Sequence, residues 1–102
     1  MEVTLLEFAE RDLEEGYAFY ERQQAGLGDY FLDSIFADID SLILYAGVQR
    51  EVFGFRRLLA HKFPFAVYYD VVGRQARVWA VVDCRREPRW IKVTLSKRRT
   101  KS

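Results

Sequence analysis

The spacing of hydrophobic residues divides the chain into a helical first half and an extended second half. From Phe8 to about Gln24, apolar residues recur every three or four positions between charged ones, which predicts an amphipathic helix. A second helix is predicted from Asp29, with apolar positions at Leu32, Ile35, Phe36, Ile39, Leu42 and Ile43. The two glycines of Ala25–Gly28 end the first helix, and so short a link predicts an antiparallel helical hairpin.

After Gly47 the hydrophobic period becomes two, which indicates strands. We predict strands over residues 53–60, Phe65–Val72 and Ala76–Cys84, and a short edge strand over Met1–Leu6. The order of elements predicts an α+β fold, with an N-terminal strand and an antiparallel two-helix hairpin packed on a mainly antiparallel sheet of about four strands. We interpret residues 1–102 as a single domain.

Residues 91–102 form a basic C-terminal tail whose structure the sequence leaves open between a short helix, a further strand and disorder. Ile91, Val93 and Leu95 alternate with polar residues, which favours an extended conformation. The last seven residues, SKRRTKS, are interpreted as a solvated tail.

The composition is that of a globular protein able to bury a core, because half of the 102 residues are hydrophobic. The N-terminus resembles no signal peptide, and no apolar run approaches the ~20 residues that a membrane span requires. Cys84 is the single cysteine, so it cannot form an internal disulfide, and we interpret it as a small packing residue. We therefore predict a cytoplasmic protein with no membrane partner.

Charge is strongly polarised along the chain. Residues 1–51 carry 12 acidic and 3 basic side chains, whereas residues 52–102 carry 3 acidic and 13 basic ones. This polarity predicts a basic surface that faces an anionic partner, unless the two halves mix their charges on one solvated surface.

The amino-acid composition excludes the most common types of catalytic and metal site. With one histidine and one cysteine, the chain has neither a zinc quartet nor a histidine-based triad, and it lacks a phosphate-binding glycine loop. Asp38 and Asp40 point to different sides of their helix, so we interpret them as solvated surface. His61 is interpreted in the same way, although its usual pKa near neutrality suits a general base. No metal and no small-molecule cofactor is expected.

The informative residues are cations interleaved with aromatic side chains, a combination that suits RNA or an acidic protein segment. Two of them directly follow a predicted core strand, which would hold them in place. The candidate partner-binding set is Arg56, Arg57, Lys62, Arg85, Arg86, Arg89 and Trp90.

Three stretches together resemble the RelE/ParE superfamily of type II toxin–antitoxin toxins. They are AERDLEE at residues 9–15, AGLGDYFLDSI at 25–35, and the segment from Phe55 to Trp90, with its Arg-Arg, Phe-Pro, Val-Tyr-Tyr and Arg-Arg pairs. The resemblance covers roughly residues 2–91. It implies a compact toxin neutralised by a cognate antitoxin that wraps it with a segment folding on binding. RelE-like members of the family cut messenger RNA in the ribosome, whereas ParE-like members inhibit DNA gyrase without catalytic residues.

This sequence matches only some of the catalytic residues of the family's RelE-like nucleases. Arg86 matches an arginine after the last strand, and Arg57 replaces a lysine. Leu59 and Ala66 stand where cations are expected, and Trp90 lies near a functional tyrosine but lacks its ionisable hydroxyl. Ala66 also departs from the arginine of many ParE-like members.

Fixed cations are what this nuclease mechanism relies on, so their loss favours a ParE-like, non-enzymatic inhibitor of DNA gyrase. One alternative is a RelE-like endoribonuclease acting on the ribosome and mRNA, with Arg57, Arg86 and His61 as catalytic candidates. A second alternative is a non-toxic protein-interaction module of the same fold.

Overall fold

The computed structural model of the chain describes residues 1–101. Helices occupy the first half and the C-terminus, and strands occupy most of the remainder. In chain order the elements are β1 (Glu2–Leu5), α1 (Glu7–Gln23), α2 (Leu27–Asp40), α3 (Leu42–Tyr45), β2 (Glu51–Val52), β3 (Phe55–Leu59), β4 (Phe65–Val72), β5 (Gln75–Asp83) and α4 (Pro88–Lys101).

The strands form one sheet in the order β1-β5-β4-β3-β2, in which β1 runs parallel to β5 and the other neighbours are antiparallel. The predicted edge strand is thus confirmed as β1. The sheet has five strands where about four were expected, because two-residue β2 pairs with β3. The strand predicted over 53–60 begins only at Phe55. Phe53 and Gly54 both have positive φ, 56° and 83°, and form the two-residue turn between β2 and β3.

Both faces of the sheet are covered, and each has its own hydrophobic cluster. We call the face under α1 and α2 the hairpin face; its cluster includes Leu13, Phe31, Ile35, Val67 and Val78. We call the opposite face the α4 face; its cluster contains Phe55, Ala66, Tyr68, Trp79, Ala80, Val82, Ile91 and Leu95. The near-continuous apolar run of β5 follows from this arrangement, because both sides of the strand are buried.

The helical hairpin depends on close contacts made by two glycines. A Cβ on Gly16 would lie 2.6 Å from the ring of Phe31, and one on Gly28 would lie 2.9 Å from the carbonyl oxygen of Tyr17. The α1–α2 link is closed by Glu21, whose carboxylate accepts the N–H groups of Gly26 and Gly28 at 3.0–3.1 Å. These bonds satisfy N–H groups at the start of α2, so that helix begins at Leu27, two residues before the predicted start.

The main correction concerns residues 91–101 of the predicted tail, which belong to the helix α4 and are not extended, while Ser102 lies outside the described residues. Ile91 and Leu95 are buried four residues apart, whereas Val93 is exposed, so the helical period decides the conformation. Pro88 occupies the first helical position, where its missing N–H is tolerated, and basic residues lie in the last turn, where they oppose the negative helix end. Packing on the α4 face therefore outweighs the alternating pattern.

Three smaller interpretations also change. Asp38, taken as solvated surface, is buried against the turn after β3. Cys84, taken as a packing residue, is exposed. Arg98 of the supposedly solvated tail is mostly buried in an ion pair with Asp12.

Candidate partner-binding site

The first cation after β5 is neutralised by its own strand. Arg85 donates from Nη2 to Oδ2 of Asp83 at 2.7 Å, and its backbone N–H donates to Oδ1 at 2.9 Å. The hydrogen bonds from Arg85 hold the pKa of Asp83 below its usual value. Arg85 therefore closes the turn after β5 and offers a partner less charge than its position in the sequence suggested.

The second cation, Arg86, is instead presented by an aromatic ring. Its guanidinium lies 4.2 Å from the ring centroid of Trp90, in the first turn of α4. The backbone N–H of Arg86 donates to the carbonyl of Asp83, which fixes the turn. Within residues 1–101, no carboxylate forms an ion pair with Arg86. Its charge is thus oriented and available to an anionic group.

The remaining predicted cations are divided between different surfaces. Arg56 donates to the carbonyl of Gln49 at 2.7 Å, whereas Arg57 pairs across the sheet with Tyr68 on the α4 face. Lys62 lies 5.3 Å from the ring centroid of Tyr30, and Arg89 is exposed at the start of α4. Adjacent residues of a strand point to opposite faces, so Arg56 and Arg57 do not act as one patch.

The nuclease candidates do not assemble into one site. Arg57, Leu59 and Ala66 share the α4 face, and of these three residues only Arg57 carries a charge. Burial raises the pKa of the Tyr68 hydroxyl beside Arg57, although their hydrogen bond opposes the rise.

His61 belongs to the hairpin side, where its Nδ1 lies 2.5 Å from Oδ1 of Asp38 on α2. The His61 backbone N–H also donates to Oδ2 of the same carboxylate at 3.1 Å. The side chain of His61 is 78% exposed, and its contact with Asp38 ties the turn between β3 and β4 to α2. This contact gives His61 a structural role on the hairpin side, whereas Arg57 lies on the opposite face of the sheet.

Two grooves flank α1, and neither was predicted from the sequence. The first, which we call the strand-edge groove, has a volume of about 310 Å³ between α1, the end of β5 and α4. Residues that line it include Phe19, Arg22, Phe65, Val81, Arg86 and Trp90. It brings the Arg86–Trp90 stack into contact with an apolar floor.

The second, which we call the hairpin groove, has a volume of about 390 Å³ and lies on the other side of α1, against α2. Its lining includes Leu13, Tyr17, Leu32 and Phe36, with Glu10 and Glu14 beside them. The carboxylates of Glu21 and Asp29 raise the pKa of Tyr17, as expected in a negative potential. The groove therefore suits an apolar segment that carries positive charge.

Side chains from α1 and α4 complete the inner end of the strand-edge groove. Asp12 accepts from Arg98 at 2.6 and 2.8 Å and from the backbone N–H of Val81 at 2.9 Å. Arg98 also donates to the carbonyl of Trp79 at 3.0 Å. The sequence contains one signal for this ion pair. Asp12 lies on the apolar stripe of α1, between Ala9 and Leu13, and a carboxylate at such a buried position requires a partner.

The Asp83–Arg85 pair makes the acid stability of the protein testable. Because the folded pKa of Asp83 is lowered, the pair contributes stability above the usual value near 3.8, and this contribution is lost as pH falls through the folded pKa. Asp83→Asn should remove that part of the pH dependence, at a cost below about 1 kcal/mol at neutral pH. Urea unfolding between pH 2 and pH 7 measures it. Arg85→Gln should act like Asp83→Asn, and an equal effect of Arg89→Gln would contradict the assignment.

Among residues 1–101, no helix combines the length and apolar character needed to cross a bilayer. Within the same residues, no group of three or more His, Cys, Asp or Glu side chains is placed to hold a metal ion.

Comparison with known proteins shows a likeness in structure and none to a family model or a curated protein. The structure of the chain matches a chain of a solved structure described as the chromosomal ParDE TA system from P. aeruginosa, with a TM-score of 0.75 and 23% sequence identity. The match covers 81% of this chain and 95% of that chain. The expected RelE/ParE-like α+β fold is thereby confirmed.

Proposed function

We propose that this chain is the toxin of a type II toxin–antitoxin system, acts in the cytoplasm as a ParE-like inhibitor of DNA gyrase, and is neutralised by a cognate antitoxin. The observation that carries the proposal is the likeness to a chain of the P. aeruginosa ParDE TA system over 95% of that chain. The family motifs in the sequence support it, because their order follows the order of the elements in this fold.

The α4 face favours gyrase over messenger RNA as the target. A nuclease of this family needs several fixed cations to orient phosphate, but Leu59 and Ala66 contribute none beside Arg57. A hydroxyl with a raised pKa, such as that of Tyr68, is a poor general base at neutral pH. Ile91 and Leu95 of α4 are buried in the same cluster, so the helix covers part of this face.

The hairpin groove suits the antitoxin. An amphipathic helix could bury its apolar side chains against Leu13, Leu32 and Phe36 and pair its basic residues with Glu10 and Glu14. Phe36 is 38% exposed although it belongs to the apolar pattern of α2, as expected of a position that a partner covers. The polarity of the surface thus predicts positive charge on this part of the antitoxin.

Pulse labelling in bacteria after controlled induction of the chain tests the proposed function. We expect thymidine incorporation to fall first while methionine incorporation continues, and co-expression of the antitoxin to restore growth. A matched control is the same gene with an early stop codon.

Two other outcomes would overturn the gyrase proposal. Early loss of methionine incorporation would instead support the hypothesis of a RelE-like endoribonuclease. Arg57 and Arg86 would then be the residues to mutate. If both labels continue unchanged while the chain accumulates in folded form, it is a non-toxic interaction module.

A further inference from the structure

Helix α4 turns one side to the sheet and the other side to solvent. Ile91 and Leu95 are buried, and Arg98 on the same side is held in the ion pair with Asp12. Residues three and four positions apart share a side of a helix, so these three anchors fix which residues face outward. The outward side, which we call the basic helix face, consists of the exposed residues Arg89, Lys92, Val93, Ser96, Lys97 and Thr100.

The positive charge of the basic helix face is not neutralised by neighbouring side chains. Helix α4 contains no acidic residue. Within residues 1–101, no carboxylate forms an ion pair with Arg89, Lys92 or Lys97. These three cations are carried by an anchored helix and are spread over about 12 Å of its axis, at ~1.5 Å per residue. The face therefore suits a partner that presents several negative charges in a row.

The composition of the basic helix face favours a phosphate backbone over a protein surface. Val93, which is 43% exposed, is the one apolar residue among the six, and none of them is aromatic. Protein interfaces are enriched in aromatic side chains and depleted of lysine at their centres, so this face differs from them. Arginine, lysine and hydroxyl side chains such as that of Ser96 are the groups that contact phosphate oxygens.

The same face favours duplex DNA over a single strand of RNA. Proteins that bind single strands stack the bases on aromatic side chains. Trp90 is the one aromatic residue of α4, but the guanidinium of Arg86 lies over its ring at 4.2 Å, and the ring lines the strand-edge groove. Duplex DNA carries one phosphate charge for about every 1.7 Å of its axis, so a helix lying along its backbone meets several charges.

We propose that the basic helix face binds the phosphate backbone of the duplex DNA on which gyrase acts, an inference that rests on the proposed function. Arg89, Lys92 and Lys97 each contact a phosphate, and the hydroxyl of Ser96 donates to a phosphate oxygen. The contact is independent of base sequence, because phosphates carry no sequence information. The toxin thereby holds the DNA as well as the enzyme.

Fluorescence anisotropy of a labelled duplex of about 20 base pairs, titrated with the folded full chain at salt concentrations from about 50 to 200 mM, tests the inference. Each phosphate contact contributes about −0.9 to the slope of log affinity against log salt, so three contacts predict a slope of about −3. Lys92→Glu combined with Lys97→Glu should weaken binding roughly tenfold or more and should reduce the slope by about 2.

The matched control has the same change of net charge at exposed positions outside α4, Arg50→Glu combined with Arg74→Glu. It should change the slope little, because exposed charges act over only about a Debye length. In pulse labelling, the control should inhibit thymidine incorporation more strongly than the variant with both lysines replaced. Circular dichroism checks that both double variants fold. If the glutamate substitutions unfold α4, Lys92→Gln with Lys97→Gln should reduce the slope in the same direction.

Three results would overturn the inference. They are the absence of affinity for the duplex, equal effects of the two double variants, or tighter binding to single-stranded RNA of the same length. If the wild-type chain lowers thymidine incorporation but does not bind the duplex, this inference alone is rejected. If the chain binds the duplex through Lys92 and Lys97 but leaves thymidine incorporation unchanged, the proposed inhibition of gyrase is rejected instead.

Discussion

Replacing Asp12 by alanine is expected to lower the free energy of unfolding by about 3 kcal/mol, the largest effect of any single charged residue on α1. Asp12 is 8% exposed and accepts three hydrogen bonds, two from Arg98 and one from the N–H of Val81. Its removal leaves a mostly buried guanidinium and a backbone donor of β5 without their acceptor. Urea unfolding followed by circular dichroism measures the loss.

The matched control is Glu7→Ala on the same helix. Glu7 also pairs with an arginine, Arg11, at 2.6 Å, but both side chains are mostly exposed, so its loss should cost less than about 1 kcal/mol. A double-mutant cycle of Asp12→Ala with Arg98→Ala should show strong coupling. Similar costs for Asp12→Ala and Glu7→Ala would mean that α4 does not depend on this ion pair.

Truncating Trp79 to alanine is expected to cost about 3–5 kcal/mol and to loosen α4. The ring is 2% exposed, stacks on Phe8 at 6.4 Å and meets Phe55 edge-on at 5.8 Å. The cluster on the α4 face is small, so a cavity at its largest member removes much of the surface against which Ile91 and Leu95 pack. Urea unfolding gives the cost, and amide hydrogen exchange in α4 reports the loosening.

Trp90→Ala is the control for the same type of truncation at an exposed site, and it should cost less than about 1 kcal/mol. Trp90→Ala should leave the chain folded, whereas Trp79→Ala should destabilise the whole α4 face. If Trp79→Ala left exchange in α4 unchanged, the helix would be held by contacts other than this cluster.

Trp79 also shows why β5 could be predicted while its detailed shape could not. The strand contains a bulge, because Tyr68 pairs with Ala80 and Tyr69 with Val78, which leaves Trp79 as the extra residue. Both Trp79 and Ala80 consequently contribute to the cluster on the α4 face. The apolar run predicted a buried strand, but a run that is apolar on both faces contains no signal for where the alternation slips.

The candidate site was predictable residue by residue only where the interactions are local. Arg85 and Arg86 were expected at the end of a core strand, and they lie there. The candidate set placed Arg56 and Arg57 together, although the period of two along a strand already predicts that their side chains point to opposite faces of the sheet. Glu10 and Glu14 lie on one side of a predicted helix, but a groove also needs α2 beside it, and the distance between two helices is not encoded in the period of either.

By itself, the sequence determined the helical hairpin, the main strands and the α+β order, because a period of 3.6 or of 2 depends only on neighbours along the chain. Tertiary structure decided what joins those elements. The Asp12–Arg98 pair spans 86 positions and the Asp38–His61 contact spans 23, so no local pattern predicts either. The C-terminal segment became helical because the second face of the sheet was available to bury Ile91 and Leu95, and burial outweighs a weak local preference.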